Sequence, residues 1–158
     1  MSNEEFARRI GALKPVLFRV CRTQLARPAD REDAVQEAIL RAWERLDTLR
    51  EPRYFETWLI RILINECHNV QRRGKRLVLA EVPPEPEPPR EDRSRELTDA
   101  LAALDEGMRL CVELHYIEGY SVKEVSAMLG IGESAVKLRL HRGRKKLRAL
   151  LSEEVFGE

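Results

Sequence analysis

Tyr120 to Leu150 reads YSVKEVSAMLGIGESAVKLRLHRGRKKLRAL, and the reading of this stretch decides the fold. Val122, Val125 and Leu129 are three and four residues apart, the spacing that puts apolar side chains on one face of a helix. Gly130 follows, the residue that takes a left-handed helix C-cap without a steric penalty. Ile131 is expected to pack the corner. A second helix then buries Ala135, Val136, Leu140 and Leu147, while Lys137, Arg139, Arg142, Arg144, Lys145, Lys146 and Arg148 cover its other sides. Residues 121–150 hold eight Lys/Arg against two acids, Glu124 and Glu133. A short helix, a glycine turn and a basic helix in that order predict a helix-turn-helix whose second helix enters a DNA major groove. The competing reading is a solvated basic helix in an ordinary bundle.

The rest of the chain segregates charge in the same way. Its 158 residues carry a net charge of only +1, with 35% charged and 6% aromatic residues. This length bounds one or two small domains, and the composition favours helices throughout. Residues 30–51 hold seven acids and four Arg, residues 53–76 six basic and two acidic residues, and residues 81–99 seven acids and three Arg. Cys21, Cys67 and Cys111 are far apart and form no CxxC, so no metal site is expected and the thiols are read as reduced core residues. No signal segment or membrane span is expected, since Glu4, Glu5, Arg8 and Arg9 interrupt the N-terminus and Arg61 breaks the longest apolar run.

Taken in order, residues 4–26 predict a first helix that Pro15 breaks or kinks and Pro28 closes. Asp30 to Leu46 predicts an amphipathic helix with Asp30 as N-cap and Val35, Ile39, Ala42 and Leu46 on its core stripe. A second stripe carries Gln36, Leu40, Trp43 and Asp47 beside Glu37 and Glu44. A large aromatic and a Leu among acids suit a docking face for a basic helix; equally, Trp43 could finish the core. Tyr54 to Arg73 predicts a third helix, ended by Gly74, with a polar stripe of Arg61, Asn65, His68 and Arg72. Asn and Arg can bond base edges, and Tyr54 or Phe55 could stack on an unpaired base, although Phe55 and especially Trp58 fit a core better than a reading role. Residues 77–92, including VLAEVPPEPEPPRED, hold five of the eight prolines and read as an extended acidic linker. Glu96–Leu104 and Gly107–Ile117 predict two more helices, with Leu97, Leu101, Leu104, Leu110, Leu114 and Ile117 inward.

DREDAVQEAILRAW (30–43), FETWLIRILINECHNVQRR (55–73) and LTDALAALDEGMRLCVELHYIEGYS (97–121), leading into the helix-turn-helix, together resemble the extracytoplasmic-function sigma factors of bacterial RNA polymerase. The resemblance covers residues 5–151. It implies an all-α fold of two small helical domains: sigma region 2 at 1–74, a Pro-rich acidic linker at 75–92, sigma region 4 at 93–152 and a tail at 153–158. It implies a cytoplasmic alternative sigma factor, without cofactor or catalytic residues, which binds core polymerase and directs promoter-specific initiation. Asp33, Gln36, Glu37, Leu40 and Trp43 would dock on the clamp helices of the largest subunit, with the polymerase flap as a further contact. Arg53, Tyr54, Phe55, Arg61, Asn65, Asn69, Arg72 and Arg73 would melt and hold the minus-ten element. Ser134, Lys137, Leu138, Arg139, His141 and Arg142 would read the minus-thirty-five element, with Arg144 and Lys145 on phosphates. Promoter DNA and a separate anti-sigma protein are the other implied partners.

A length check agrees with this. Promoter elements on the order of 25 base pairs apart are separated by about 80 Å. An extended linker from Lys75 to Asp92 reaches at most about 60 Å, and two small domains span the rest. Ser126 stands where a helix-turn-helix usually has Ala and is expected to loosen packing; Leu138 stands where the family often has a small polar residue; Gly143 is expected to interrupt the recognition helix. The rival readings are a dimeric helix-turn-helix regulator that binds duplex DNA alone and a sequestering interaction module; an enzyme finds no motif with catalytic spacing.

Overall fold

Seven α-helices and no strand occur among the described residues. The computed structural model describes residues 1–76 and 95–151; the expected linker beyond Arg76 and the tail at 153–158 lie outside the described residues.

Helix α1 (Asn3–Arg22) starts on Ser2, whose hydroxyl accepts from the Glu5 amide at 3.1 Å. It runs through Pro15 without a break. Pro15 forfeits the bond to the carbonyl of residue 11, which belongs to an exposed glycine. Pro28 does not close this segment. It opens α2 (Pro28–Glu44) from the first helical position, where a missing N–H is harmless. The N-cap is Arg27, without a side-chain cap, and Asp30 lies in the first turn rather than at the cap. What secures this junction is Arg31, a buried arginine whose guanidinium donates to the Leu25 carbonyl at 2.7 Å.

Two short 3₁₀ turns (Leu46–Thr48 and Pro52–Tyr54) lead to α3 (Phe55–Arg76). Gly74 does not end α3, which continues past it to Arg76; Gly74 is exposed and has none of the positive φ that a glycine cap needs. Helices α1, α2 and α3 pack together on Leu17, Val20, Val35, Ala38, Leu59 and Leu63. Cys21 and Cys67 meet in this core with sulfurs 3.6 Å apart, both buried and free. Their contact and then their burial push the Cys67 thiol far above its usual range, so it stays protonated.

The second lobe begins with α4 (Arg95–Ala102) and α5 (Glu106–Val112). Asp105 caps α5 by accepting from the Met108 amide at 2.8 Å. Arg109 donates to the carbonyls of Leu101, Ala102 and Leu104, closing the end of α4. A π turn (Glu113–Ile117) follows, and it leaves Ile117 exposed rather than inward. Ser121 and Glu124 form a complete capping box for α6 (Val122–Leu129). Gly130 ends α6 with φ +67°, the conformation expected of it, and α7 (Glu133–Leu150) runs back across α5. Met128, absent from the expected core stripe, is buried beside Val125.

Two expectations about this turn are corrected. Ser126 does not loosen it: its hydroxyl donates to the Ile131 carbonyl at 2.5 Å, tying α6 to the corner. Gly143 does not interrupt α7. It lies on the buried stripe with Val136, Leu140 and Leu147, and a Cβ there would stand 2.9 Å from a Val112 methyl carbon. Gly143→Ala is therefore expected to lower the stability of this lobe by about 1–2 kcal/mol, overpacking outweighing the helix-propensity gain of up to ~1 kcal/mol. Urea denaturation measures this; a stabilised variant would mean that α5 and α7 separate easily.

Candidate nucleic-acid interface

The outer face of α7 carries Ser134, Lys137, Leu138, His141, Arg142, Arg144 and Lys145, all exposed; Leu138 is 46% exposed despite being apolar. Ser134, Lys137, Leu138, His141, Arg142 and Lys145 recur at helical spacing and form one surface. The Arg144 guanidinium instead lies 6.0 Å over the Tyr116 ring. Arg139 is set apart. It flanks the buried stripe, is half-buried, and its guanidinium lies along α5, 3.1 Å from where a Cβ on Gly107 would stand. Arg139 also lies against the buried Cys111, whose thiol is nonetheless raised by its burial. As placed, Arg139 braces α7 on α5 and does not share the outer exposed face.

The region-2 residues divide similarly. Tyr54 is 53% exposed and the Arg53 guanidinium covers its ring at 4.8 Å. Arg9 fixes this loop by donating to the Pro52 carbonyl at 2.7 Å. Phe55 is only 1% exposed, edge-on to Phe6 and beside Trp58. The expectation that Phe55 could face DNA is corrected here: it offers no surface to a base and instead anchors the end of α3 that presents Tyr54. Along α3, Arg61, Asn65, Arg72 and Arg73 are exposed and Asn69 is half-buried, with Arg72 donating to the Asn69 carbonyl oxygen. His68 pairs with Glu106 at 3.2 Å.

On α2, Asp33, Gln36 and Glu37 are exposed, with Leu40 at 49% and Trp43 at 44%. Trp43 is partly core and partly surface: one side packs on Phe6, ring centroids 5.3 Å apart, and the rest stays open. Asp33, Gln36 and Glu37 share a groove with Asn69, Arg72 and Arg73. The floor of that groove is an ion pair invisible to sequence reading, Arg41 to the buried Glu66 at 2.5 Å. It holds α2 and α3 in register, and with them the acidic and the basic surfaces.

Among the described residues no three His, Cys, Asp or Glu side chains gather to hold a metal, and no described helix is long and apolar enough to cross a membrane.

Residues 10–77 match the family model "Sigma-70 region 2" and residues 94–147 match "Sigma-70, region 4". The RNA polymerase sigma-E factor of Streptomyces coelicolor is 32% identical over 152 residues, covering 91% of this chain and 84% of the relative. The ECF RNA polymerase sigma factor SigM of Mycobacterium tuberculosis is 34% identical over 141 residues, 85% of this chain and 71% of its own. Two solved folds superpose closely. The sigma factor RpoE, in complex with the anti-sigma factor NepR from Bartonella quintana, gives a TM-score of 0.81 at 23% identity, over 93% of this chain and 96% of that one. CnrH, in complex with the cytosolic domain of CnrY, gives 0.73 at 30% identity, over 94% and 88%.

The fold is thus that of a sigma factor, and the chain belongs to the extracytoplasmic-function family, the alternative sigma factors that direct transcription initiation by RNA polymerase.

Proposed function

We propose that residues 1–74 are the polymerase-docking and minus-ten-reading unit, that 75–92 connect, that 93–152 read the minus-thirty-five element, and that 153–158 are a tail. The observation that carries this is the pairing of two surfaces on one chain: an acidic face with Leu40 and Trp43 open on α2, and a basic helix behind the Gly130 turn. Asp33, Gln36, Glu37, Leu40 and Trp43 dock on a basic helical element of core polymerase, the apolar pair supplying buried area and the acids orientation. Arg53, Tyr54, Arg61, Asn65, Asn69, Arg72 and Arg73 hold the opened minus-ten strand. Tyr54 is the exposed aromatic, and stacking on one base is worth about 1–3 kcal/mol. Phe55 supports this surface from beneath. Ser134, Lys137, Leu138, His141 and Arg142 read base edges, Arg144 and Lys145 hold phosphates, and Arg139 positions α7.

The chain works in the cytoplasm and catalyses nothing; phosphodiester chemistry belongs to the polymerase. Since the related RpoE and CnrH are each solved with a separate protein, an anti-sigma factor in the case of RpoE, a separate anti-sigma protein is the proposed regulator here too.

The base and phosphate roles have different signatures. Arg142→Ala is expected to cost about 1–3 kcal/mol and to relax preference at one minus-thirty-five position. Lys145→Ala is expected to weaken all promoters alike and to reduce the salt slope by about one charge. Competition binding of holoenzyme to promoter variants at several salt concentrations separates the two; equal loss of base preference in both variants would contradict the assignment.

A further inference from the structure

Arg9 lies on α1, outside both nucleic-acid faces and 43 residues from the loop it touches. Its neighbour Ile10 and, one turn back, Phe6 are buried, and Arg9 itself is half-buried at the rim of that core. Three groups aim its guanidinium. Nη1 donates to the Pro52 carbonyl at 2.7 Å. Nη2 pairs with the Glu5 carboxylate, one turn earlier on α1, at 3.3 Å. The guanidinium carbon lies 5.7 Å over the Phe55 ring. A planar fork of donors can bond and stack at once, which an ammonium cannot do. The Pro52 carbonyl also accepts from the Phe55 amide, closing the 3₁₀ turn that carries Tyr54. Arg9 therefore holds this turn from the side while Phe55 holds it from beneath.

The turn needs such support. Residues 50–54 are all exposed. Within the loop, Arg53 and Glu51 stand 3.9 Å apart with both side chains largely in solvent, and a pair of that kind fixes little. Arg53 covers one face of the Tyr54 ring at 4.8 Å, so the tilt of the turn decides how squarely the other face meets a base. Stacking is worth its full amount only when the two planes are held in place. We propose that Arg9 is a positioning residue for minus-ten recognition: it touches no DNA, and by fixing the Pro52 carbonyl it sets the orientation in which Tyr54 receives an unpaired base. The inference rests on the assignment of Tyr54 to the opened minus-ten strand. A phosphate contact is the competing role for an arginine here, but this guanidinium is already shared among Glu5, Pro52 and Phe55. The two roles differ in signature, since positioning a base contact affects one base position whereas a phosphate contact affects all sequences alike.

The test is run-off transcription by the full chain with core polymerase, from promoters carrying each of the four bases at each minus-ten position. Arg9→Ala is expected to flatten the base preference about tenfold at one position, the one that Tyr54→Ala also flattens, which is within the worth of one stacked base. Co-elution with core, minus-thirty-five preference and the salt slope should stay at their wild-type values. In a Tyr54→Ala background Arg9→Ala should add nothing, because the two residues act through one contact. Arg9→Lys keeps the charge and the length of the side chain, and should flatten the same position by about threefold; it carries the test if Arg9→Ala does not fold. Weakening of all promoters alike with a shallower salt slope would make Arg9 a phosphate contact and overturn the proposal. Flattening by Tyr54→Ala but not by a folded Arg9 variant would overturn this inference alone. Intact minus-ten preferences in Tyr54→Ala would instead sink the reading of Tyr54 on which it rests.

Discussion

Phe55→Ala lowers the stability of the first lobe by about 3–5 kcal/mol, the range for deleting a buried aromatic ring. Phe55 is 1% exposed and is the middle of an aromatic chain: Phe6 meets it at 5.8 Å, Trp58 at 5.9 Å, and Phe6 in turn meets Trp43 at 5.3 Å. Arg9 covers the ring at 5.7 Å while holding the Pro52 carbonyl. Truncation therefore leaves a cavity under the loop that presents Tyr54 and beside the wall that supports Trp43. Both tryptophans of the chain lie along this chain of rings, so their fluorescence follows unfolding directly. In urea, with a slope of 1–3 kcal/mol per molar for a domain of this size, the midpoint is expected to fall by about 2 M. A fall below about 0.5 M would mean that the neighbours close the cavity and that Phe55 is not the anchor.

The second large effect is on assembly. Glu37→Lys with Trp43→Ala is expected to weaken binding to core polymerase at least about 100-fold, or ~2.7 kcal/mol. Trp43 is the largest exposed apolar group on α2, and an aromatic anchor at the centre of an interface commonly carries 2 kcal/mol or more. Glu37 stands on the same face, so reversing its charge sets like against like if the docking element is basic. Neither change removes a fully buried side chain, so the double variant should retain its helical circular dichroism. Co-elution of the folded double variant with core would argue against this face.

The helix-turn-helix was legible because its signals are local. Gly130 needs φ +67°, and Val125 lies on the apolar period that Met128 extends. The amphipathic pattern of α2 was legible for the same reason, with Val35 and Ala42 buried on its core stripe. The errors fall where a local rule met a stronger neighbour. Asp30 has the chemistry of an N-cap, but Pro28 starts the helix two residues earlier. Gly74 looks like a terminator, yet a glycine without positive φ is only a weak point in a helix. Arg139 and Arg142 are equivalent in charge; what separates them is Gly107, distant in sequence, which leaves room for the Arg139 guanidinium against α5. Phe55 and Tyr54 are both aromatic neighbours of the same loop, and only packing against Phe6 decides which one turns inward. The bonds of Arg31, Glu66 and Arg109 are not legible at all, because each joins a charge to groups fixed only in three dimensions.

These surfaces make one joint demand: the chain must be active with polymerase and not alone. The most direct measurement is reconstitution with bacterial core RNA polymerase on a library of promoter fragments, scored by sequence-selective run-off transcription. Transcripts that depend on both this chain and core, from fragments sharing two separated elements, are the predicted result. Core bound without any selective transcript, or sequence-specific duplex binding by the chain alone with no effect of core, would contradict it.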